Sequence, residues 1–227
     1  MGVVKDQIGK QLAPRITGLA PGLTTSFIRE ALARAVNGVG PLPGAAAAAD
    51  KQLEEQGGDR DKAVHEVIEN HVRYAGAQGF VTNLGGLVTT AVTIPTNITG
   101  LALIQCRMIA GIAHLRGYDL EDPRVRNAIL VTLLGEDSVE DLVRREKLPA
   151  PPMALATAPV RDSALDTVVS QEVGSALVSR VIGKRLAVTV GRRVPVVGGV
   201  VGAGADGYST WRIGRYADRE LLPRAPR

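Results

Sequence analysis

The sequence predicts an all-α protein, a multi-helix single domain with two central Gly-rich apolar helical hairpins. Apolar side chains recur at intervals of three and four residues along most of the chain, the spacing of helices with one buried face. Gly and Pro cluster between these segments, where they end one helix and precede the next. With 227 residues, 45% hydrophobic but only 3% aromatic, the chain can bury a sizeable aliphatic core.

The first part of the chain predicts three helices with clear ends. Asn37 and Gly38 end the first helix, and the segment GPLPG then interrupts the chain. Gly57 and Gly58 end the second helix, and Asp59 begins a third, amphipathic helix. The predicted helices span residues 24–36, 45–56 and 59–76.

The central segment carries no charged side chain from Tyr74 to Cys106. Pro95 and Asn97 divide it into two pieces of helical length, which predicts the first hairpin. Each piece approaches the length of a membrane span. The second piece, however, would place Arg107 in mid-membrane, at a cost of about 2.5–3.5 kcal/mol on insertion scales. We expect this hairpin to pack in the core, with bilayer insertion as the alternative.

The second half of the chain continues the helical pattern. Gly117 suits a helix C-cap, Asp122 an N-cap and Pro123 the first position of the next helix. A Pro-rich strap at about 148–160 is expected to be extended, and the segment VPVVGGVVGAGADGYSTWRIGRYA closes the fold as the second hairpin. The predicted helices here span residues 123–134, 137–147 and 162–190.

The glycines of the closing segment fall into rows at intervals of four residues. Gly198, Gly202 and Asp206 form one row, and such rows let two helix backbones approach closely, as in a glycine zipper. For the whole chain we expect a helical arm over residues 1–43 and the main helical domain over residues 44–227.

Motifs with catalytic or cofactor chemistry fail on context. GAGADG at 202–207 matches a dinucleotide-binding pattern, but the strand and acidic residue that should follow it are missing. HEVIE at 65–69 has Glu where a zinc protease motif needs its second His. The lone Cys106 lies in an apolar run and predicts an inert buried thiol. We expect no catalytic residues, metal or cofactor.

Several polar residues are the best candidates for a ligand site. Arg107 and His114 are seven residues apart and therefore share one helix face. Asp206 lies on the glycine row, which suggests a buried ion pair with Arg107 between the two hairpins. Alternatively, Arg107 and His114 line a cavity and bind an anionic group, with Asn97 and Gln105 as further ligand-binding candidates.

Basic charge concentrates at the C-terminal end of the chain. From Arg180 onward there are ten basic and three acidic side chains, which suggests an anionic partner. The scarcity of aromatic side chains argues against nucleic acid. The N-terminus lacks a secretory signal, so we expect a cytoplasmic protein, peripheral at the inner face of the cell membrane. The membrane-surface candidates are Arg180, Lys184, Arg185, Arg192, Arg193, Arg212 and Arg215.

Two stretches resemble the EcsC protein family. One contains RMIAGIAHLRGYDLEDPRVR at 107–126, and the other is the closing segment VPVVGGVVGAGADGYSTWRIGRYA. The resemblance covers about two fifths of the chain and excludes the first forty residues. This family is similar to a bacterial companion protein of an ABC-transporter operon, and its biochemical activity is unassigned. The resemblance therefore implies a link to membranes or transport. It implies no catalytic residues for this chain.

Three functions remain open on this evidence. The first is a non-enzymatic helical accessory protein at an anionic membrane surface, linked to transport or lipid handling, with a lipid or a membrane protein as its partner. The second is an enzyme or carrier whose apolar pocket binds a hydrophobic acid or polyketide-like molecule through Arg107 and His114. The third is a scaffold for protein partners, which predicts an exposed apolar patch over residues 19–36.

Overall fold

A computed structural model describes residues 21–38, 40–84, 94–190 and 195–224 of the chain. These ranges form nine α-helices and no β-strand, which confirms the predicted all-α class. In chain order the helices are α1 Pro21–Asn37, α2 Ala45–Glu55, α3 Arg60–Leu84, α4 Ile94–Leu115, α5 Pro123–Thr132, α6 Glu136–Arg144, α7 Pro152–Ala156, α8 Ser163–Val190 and α9 Pro195–Glu220.

Helix α4 is the centre of the fold, because it packs against α1, α2, α3, α5 and α9. Met108, Ile109 and Ile112 are completely buried. Gly111 allows α2 and α3 to approach, since a Cβ there would lie 3.6 Å from the Ala49 Cβ and 3.5 Å from the Val67 Cγ1. The largest fully buried side chains are aliphatic, as the scarcity of aromatic residues predicted.

The charge-free segment is divided at a different place from the predicted one. α3 does not end near Gly76 but continues to Leu84, so the first predicted piece is an extension of the amphipathic helix. α4 begins at Ile94, and Pro95 lies within its first turn. Pro is tolerated there because the first backbone N–H groups of a helix have no intrahelical acceptor. The connection at 85–93 lies outside the described residues.

The closing segment, predicted as the second hairpin, is one uninterrupted helix from Pro195 to Glu220, and this helix α9 makes its most extensive contact with α3. A Cβ on Gly207 would lie 3.7 Å from the Val72 carbonyl oxygen, and a Cβ on Gly214 would lie 2.9 Å from the Ile68 Cγ2. The two helices are therefore antiparallel and close. The side-chain surroundings of Gly198 and Gly202 lie outside the described residues, so the predicted glycine zipper remains a prediction there.

Arg116, just after α4, ties the same helices together. Its side chain is 11% exposed, and its guanidinium lies 2.6 Å from carboxylate oxygens of both Asp61 on α3 and Asp218 on α9. The pair with Asp218 is the more sheltered one, because Asp61 is 82% exposed and Asp218 only 20%. Arg116 thus links α3, α4 and α9 at their charged ends.

The caps predicted around α5 are present, but the strap after α6 differs from its prediction. Gly117 adopts φ 84°, and the Asp122 carboxylate accepts a hydrogen bond from the Arg124 backbone N–H at 2.9 Å. Residues 148–160 are not simply an extended surface strap. They contain the short helix α7, which can form because Pro152 stands at its first position, where Pro is acceptable. Leu155 and Ala156 of this helix are buried.

Helix α1 packs against α4 and α8. Its described apolar side chains are buried rather than exposed, which gives no support there to the surface patch that a scaffold function predicted over residues 19–36. The buried side chains are Ile28, Ala31, Leu32, Ala35 and Val36. Arg29 adds a polar link, since its Nε donates to the Ser170 hydroxyl at 3.1 Å.

Candidate functional site

Three neighbouring helices each have a stretch without charged residues, and the three stretches lie toward the same end of the molecule. α3 carries no charge after Arg73, α4 none before Arg107, and α9 none before Asp206. α3 runs antiparallel to α9, as described above, and α4 runs parallel to α9, since Gln105 pairs with Thr210 and Met108 lies against Gly214. We call α3 from Tyr74, α4 up to Cys106 and α9 up to Ala205 the uncharged end.

Exposed aromatic side chains lie where the uncharged end begins. Tyr74 is 60% exposed, Tyr208 is 63% exposed and Trp211 is 46% exposed. The Tyr208 and Trp211 rings stack with centroids 6.0 Å apart. Because Val72 meets Gly207, these three residues lie within roughly two helical turns of each other along the α3–α9 pair. We call them the aromatic border.

Arg107 is the first charged residue of α4 after the uncharged end. Its Nη1 donates to the Pro43 carbonyl in the segment before α2. Burial lowers the pKa of Arg107, and the nearby Tyr74 hydroxyl acts in the opposite direction. The side chain is half-buried, and the described ion pairs give it no carboxylate partner.

The geometry of α4 explains why Arg107 does not meet Asp206. Gln105 faces α9, where its Nε2 donates to the Thr210 hydroxyl at 3.1 Å. Two residues later the helix has turned by roughly 200°, so Arg107 points toward the α2 side instead. The carbonyl of Pro43 replaces the predicted carboxylate, and Asp206 on α9 has an interaction of its own.

The other predicted ligand-binding residues have separate surroundings. His114 shares the α4 face of Arg107, as predicted, and its Nε2 lies 2.7 Å from the Asp50 Oδ1 on α2. Arg107 and His114 therefore both fasten α4 to α2 or to the segment before it. Gln105 is buried within the α4–α9 contact. The side chain of Asn97 lies outside the described residues.

His71 on α3 joins Arg107 and Tyr74 in one cluster. It is 8% exposed, its ring meets the Tyr74 ring edge-on at 5.9 Å, and its Nδ1 lies 2.7 Å from the Val67 carbonyl oxygen. That contact places the proton on Nδ1, so Nε2 is an acceptor. Nε2 is buried and has no hydrogen-bond partner among the described residues. Burial, with a smaller effect of the Arg107 charge, lowers the pKa of His71 to about 4.

Comparison with known protein families matches residues 7–224 of this chain to the EcsC protein family. The chain belongs to the EcsC family. The match includes most of the first forty residues, where the sequence showed no resemblance. No curated protein and no solved structure matches this EcsC protein significantly.

No helix in the described part of this EcsC protein has both the length and the hydropathy needed to span a bilayer. α4 comes to its first charge at Arg107, and α9 meets Asp206 after eleven residues.

Only two of the predicted membrane-surface residues have described side chains. Arg212 pairs with Asp137 at 2.9 Å, and Arg215 pairs with Asp218 at 3.4 Å. Both guanidinium groups are about half exposed, and each is balanced by a carboxylate. The side chains of Arg180, Lys184, Arg185, Arg192 and Arg193 lie outside the described residues, so their clustering stays a prediction.

Two surface cavities of about 210 Å³ each are described, and neither contains the predicted ligand-binding residues. One lies between the start of α6 and Tyr208 of α9, and the other lies between α1, α5 and the start of α8. Both are smaller than the roughly 300–1,000 Å³ of most small-molecule sites. They give no support to a pocket between the hairpins.

The sequence signalled some of this EcsC site and missed the rest. It indicated the charge-free run and Arg107, but not His71, Tyr208 or Trp211. Part of the signal for the aromatic border was available, since only seven aromatic residues occur in the chain and Tyr74 begins the long charge-free segment. Cys106 is buried as predicted, and burial raises its pKa to about 12.

Proposed function

We propose that this EcsC protein is a helical accessory protein that associates peripherally with a membrane through its uncharged end. The observation that carries the proposal is the aromatic border, three exposed aromatic side chains within two helical turns of one another near the limit of the uncharged end on α3 and α9. A link to transport or lipid handling rests on the family resemblance.

The aromatic border has the chemistry of a membrane interface. Tyr and Trp combine an apolar ring with a polar group, and they are enriched where one side of a protein meets lipid and the other meets water. Exposed aromatic rings are costly in water, since burying such a side chain contributes about 1.5–3 kcal/mol. Contact with the headgroup region of a bilayer would remove this cost.

Arg107 is the basic residue next to the border that suits an anionic surface, since the described ion pairs give it no carboxylate partner. Arg73 and Arg212 also lie at the border, but each pairs with a carboxylate, Glu69 and Asp137 respectively. Side chains on a helix lean toward its N-terminus, which for Arg107 is the direction of the uncharged end. A long basic side chain in this position can reach lipid phosphates while its stem stays in apolar surroundings.

Vesicle flotation of purified variants tests the proposal. Wild-type protein should float with anionic vesicles at low salt and keep part of its binding at high salt, because aromatic contact is not screened. Replacing both Tyr208 and Trp211 by Ser should lower partitioning about tenfold or more, since tenfold corresponds to about 1.4 kcal/mol.

The matched control is Val160→Ser, which removes an apolar side chain that is 76% exposed outside the aromatic border. It should leave flotation unchanged. Equal binding by the double variant and the wild type, or no flotation of the wild type at either salt concentration, would refute the membrane-facing role of this end.

A further inference from the structure

One cluster next to the aromatic border contains polar groups whose bonding is incomplete. It consists of Arg107, Tyr74 and His71, which we call the Arg107 cluster. The guanidinium carries several N–H donors, and its described hydrogen bond is the one from Nη1 to the Pro43 carbonyl. Because no described carboxylate balances it, the cluster carries a net positive charge.

The two other members of the cluster, Tyr74 and His71, are polar but carry no negative charge. Val67 of α3 contacts Gly111 of α4, so one turn further along these antiparallel helices His71 and Arg107 lie at the same level. Tyr74 is 60% exposed and its ring meets the His71 ring at 5.9 Å, so its hydroxyl can donate to a group bound at Arg107. The His71 side chain is more than nine-tenths buried, and its unpartnered Nε2 points away from the α3 backbone because Nδ1 is bonded to the Val67 carbonyl. His71 therefore stays neutral and contributes a buried ring beside Tyr74 rather than a contact to a bound group.

We propose that the Arg107 cluster binds one phosphate group, with the Arg107 guanidinium as the charged anchor and the Tyr74 hydroxyl as a second donor. Arginine suits this role because its planar fork matches the oxygens of a phosphate. The proposal rests on the membrane association proposed above, since the cluster lies at the level where lipid headgroups would meet the protein. The phosphate belongs either to a lipid headgroup or to a free solute.

The test compares two arginines that lie on the same border. Arg107→Gln removes the proposed anchor, and Arg73→Gln removes the same charge next to Tyr74, from a side chain that is 66% exposed and paired with Glu69. Binding of the full chain is measured to vesicles of phosphatidylcholine with and without phosphatidylglycerol.

Arg73→Gln should weaken binding to the anionic vesicles about fivefold, the loss expected for one basic side chain near such a surface. Arg107→Gln should weaken it about tenfold further, because a charge-assisted hydrogen bond to the phosphate is also lost. Equal losses in the two variants would overturn the site, since Arg107 would then act as surface charge alone.

Two further variants protect the test against misfolding. Arg107→Lys keeps a charge that can reach the Pro43 carbonyl but lacks the fork, and it should bind with intermediate affinity. Tyr74→Phe keeps the ring and removes the hydroxyl, and it should bind anionic vesicles severalfold more weakly while its melting temperature stays unchanged. Wild-type affinity in both variants would contradict the proposal.

Competition with inorganic phosphate at constant ionic strength identifies the source of the phosphate. If it displaces the wild-type protein from vesicles but leaves Arg107→Gln unaffected, the site accepts free phosphate. If it displaces neither, while the difference between Arg107→Gln and Arg73→Gln persists, the site takes the lipid phosphate. Failure of the membrane association itself looks different, because the wild type would then bind no vesicles at all.

Discussion

The protonation of His71 follows from the positions of its two ring nitrogens. Nδ1 donates to the Val67 carbonyl, while Nε2 is buried without a described partner. A second proton on Nε2 would place an unpaired charge in the interior, next to Arg107. The pKa is therefore lowered from 6.5 to about 4, mainly by burial.

This shift predicts a loss of stability in mild acid. The unfolded chain binds a proton at His71 below pH 6.5, whereas the folded chain resists protonation down to about pH 4. The folded chain therefore keeps its full stability with respect to His71 above pH 6.5, and this part of the free energy of unfolding is lost as the pH falls toward 4. Urea unfolding at pH 5 should show a free energy of unfolding about 2 kcal/mol lower than at pH 8 from this residue.

His65 provides the control for His71, because it lies on the same helix with its side chain 64% exposed. Replacing His71 by Gln should flatten the dependence of stability on pH between 4 and 6.5, and replacing His65 by Gln should leave it as in the wild type. The opposite pattern would show that His71 is not the group that resists protonation.

At the scale of helices, the close contact between α3 and α9 requires a glycine at position 214. A Cβ on Gly214 would lie 2.9 Å from the Ile68 Cγ2 and 3.1 Å from the Met108 Sδ, and both neighbours are buried. Gly214→Ala should therefore lower the free energy of unfolding by about 1–3 kcal/mol, despite the better helix propensity of Ala.

The matched control lies on the same helix. A Cβ on Gly204 would meet nothing within 4 Å, so Gly204→Ala should raise stability by up to about 1 kcal/mol. Thermal or urea unfolding of the two variants measures both effects. A stabilised Gly214→Ala variant would contradict the close packing of α3 on α9.

Local signals predicted the helix ends better than the helix contacts. Asp122, Gly117 and Gly135 end or begin helices as their chemistry requires, since caps depend on a few adjacent residues. Pro95 misled the prediction because a proline that breaks a helix and one that starts it look the same in sequence. α7 was missed for the same reason.

The candidate site was only partly predictable because it combines distant segments. The charge-free run and the first charged residue after it, Arg107, belong to one continuous segment and can therefore be recognised from the sequence. The position of Trp211 beside Tyr208, and of both at the level of Tyr74, depends on the antiparallel packing of α3 on α9. The polar partners of Arg107 and His114 depend in the same way on how α2 packs against α4.

At the scale of the molecule, charge is distributed unevenly. The described half of the fold that contains Arg116 is rich in ion pairs between helices, such as those of Arg116 with Asp218 and Arg212 with Asp137. The uncharged end carries no charged side chain by sequence, and the aromatic border lies near its limit on α3 and α9. This division is the basis of the proposed membrane contact.

Trp211 allows the most direct test of that contact, because it is the only tryptophan in the chain and belongs to the aromatic border. Its fluorescence is measured with anionic vesicles, with and without brominated acyl chains. The account predicts a shift of the emission to shorter wavelength and quenching by the brominated lipids. Unchanged emission and no quenching, at lipid concentrations where the protein floats with the vesicles, would contradict it.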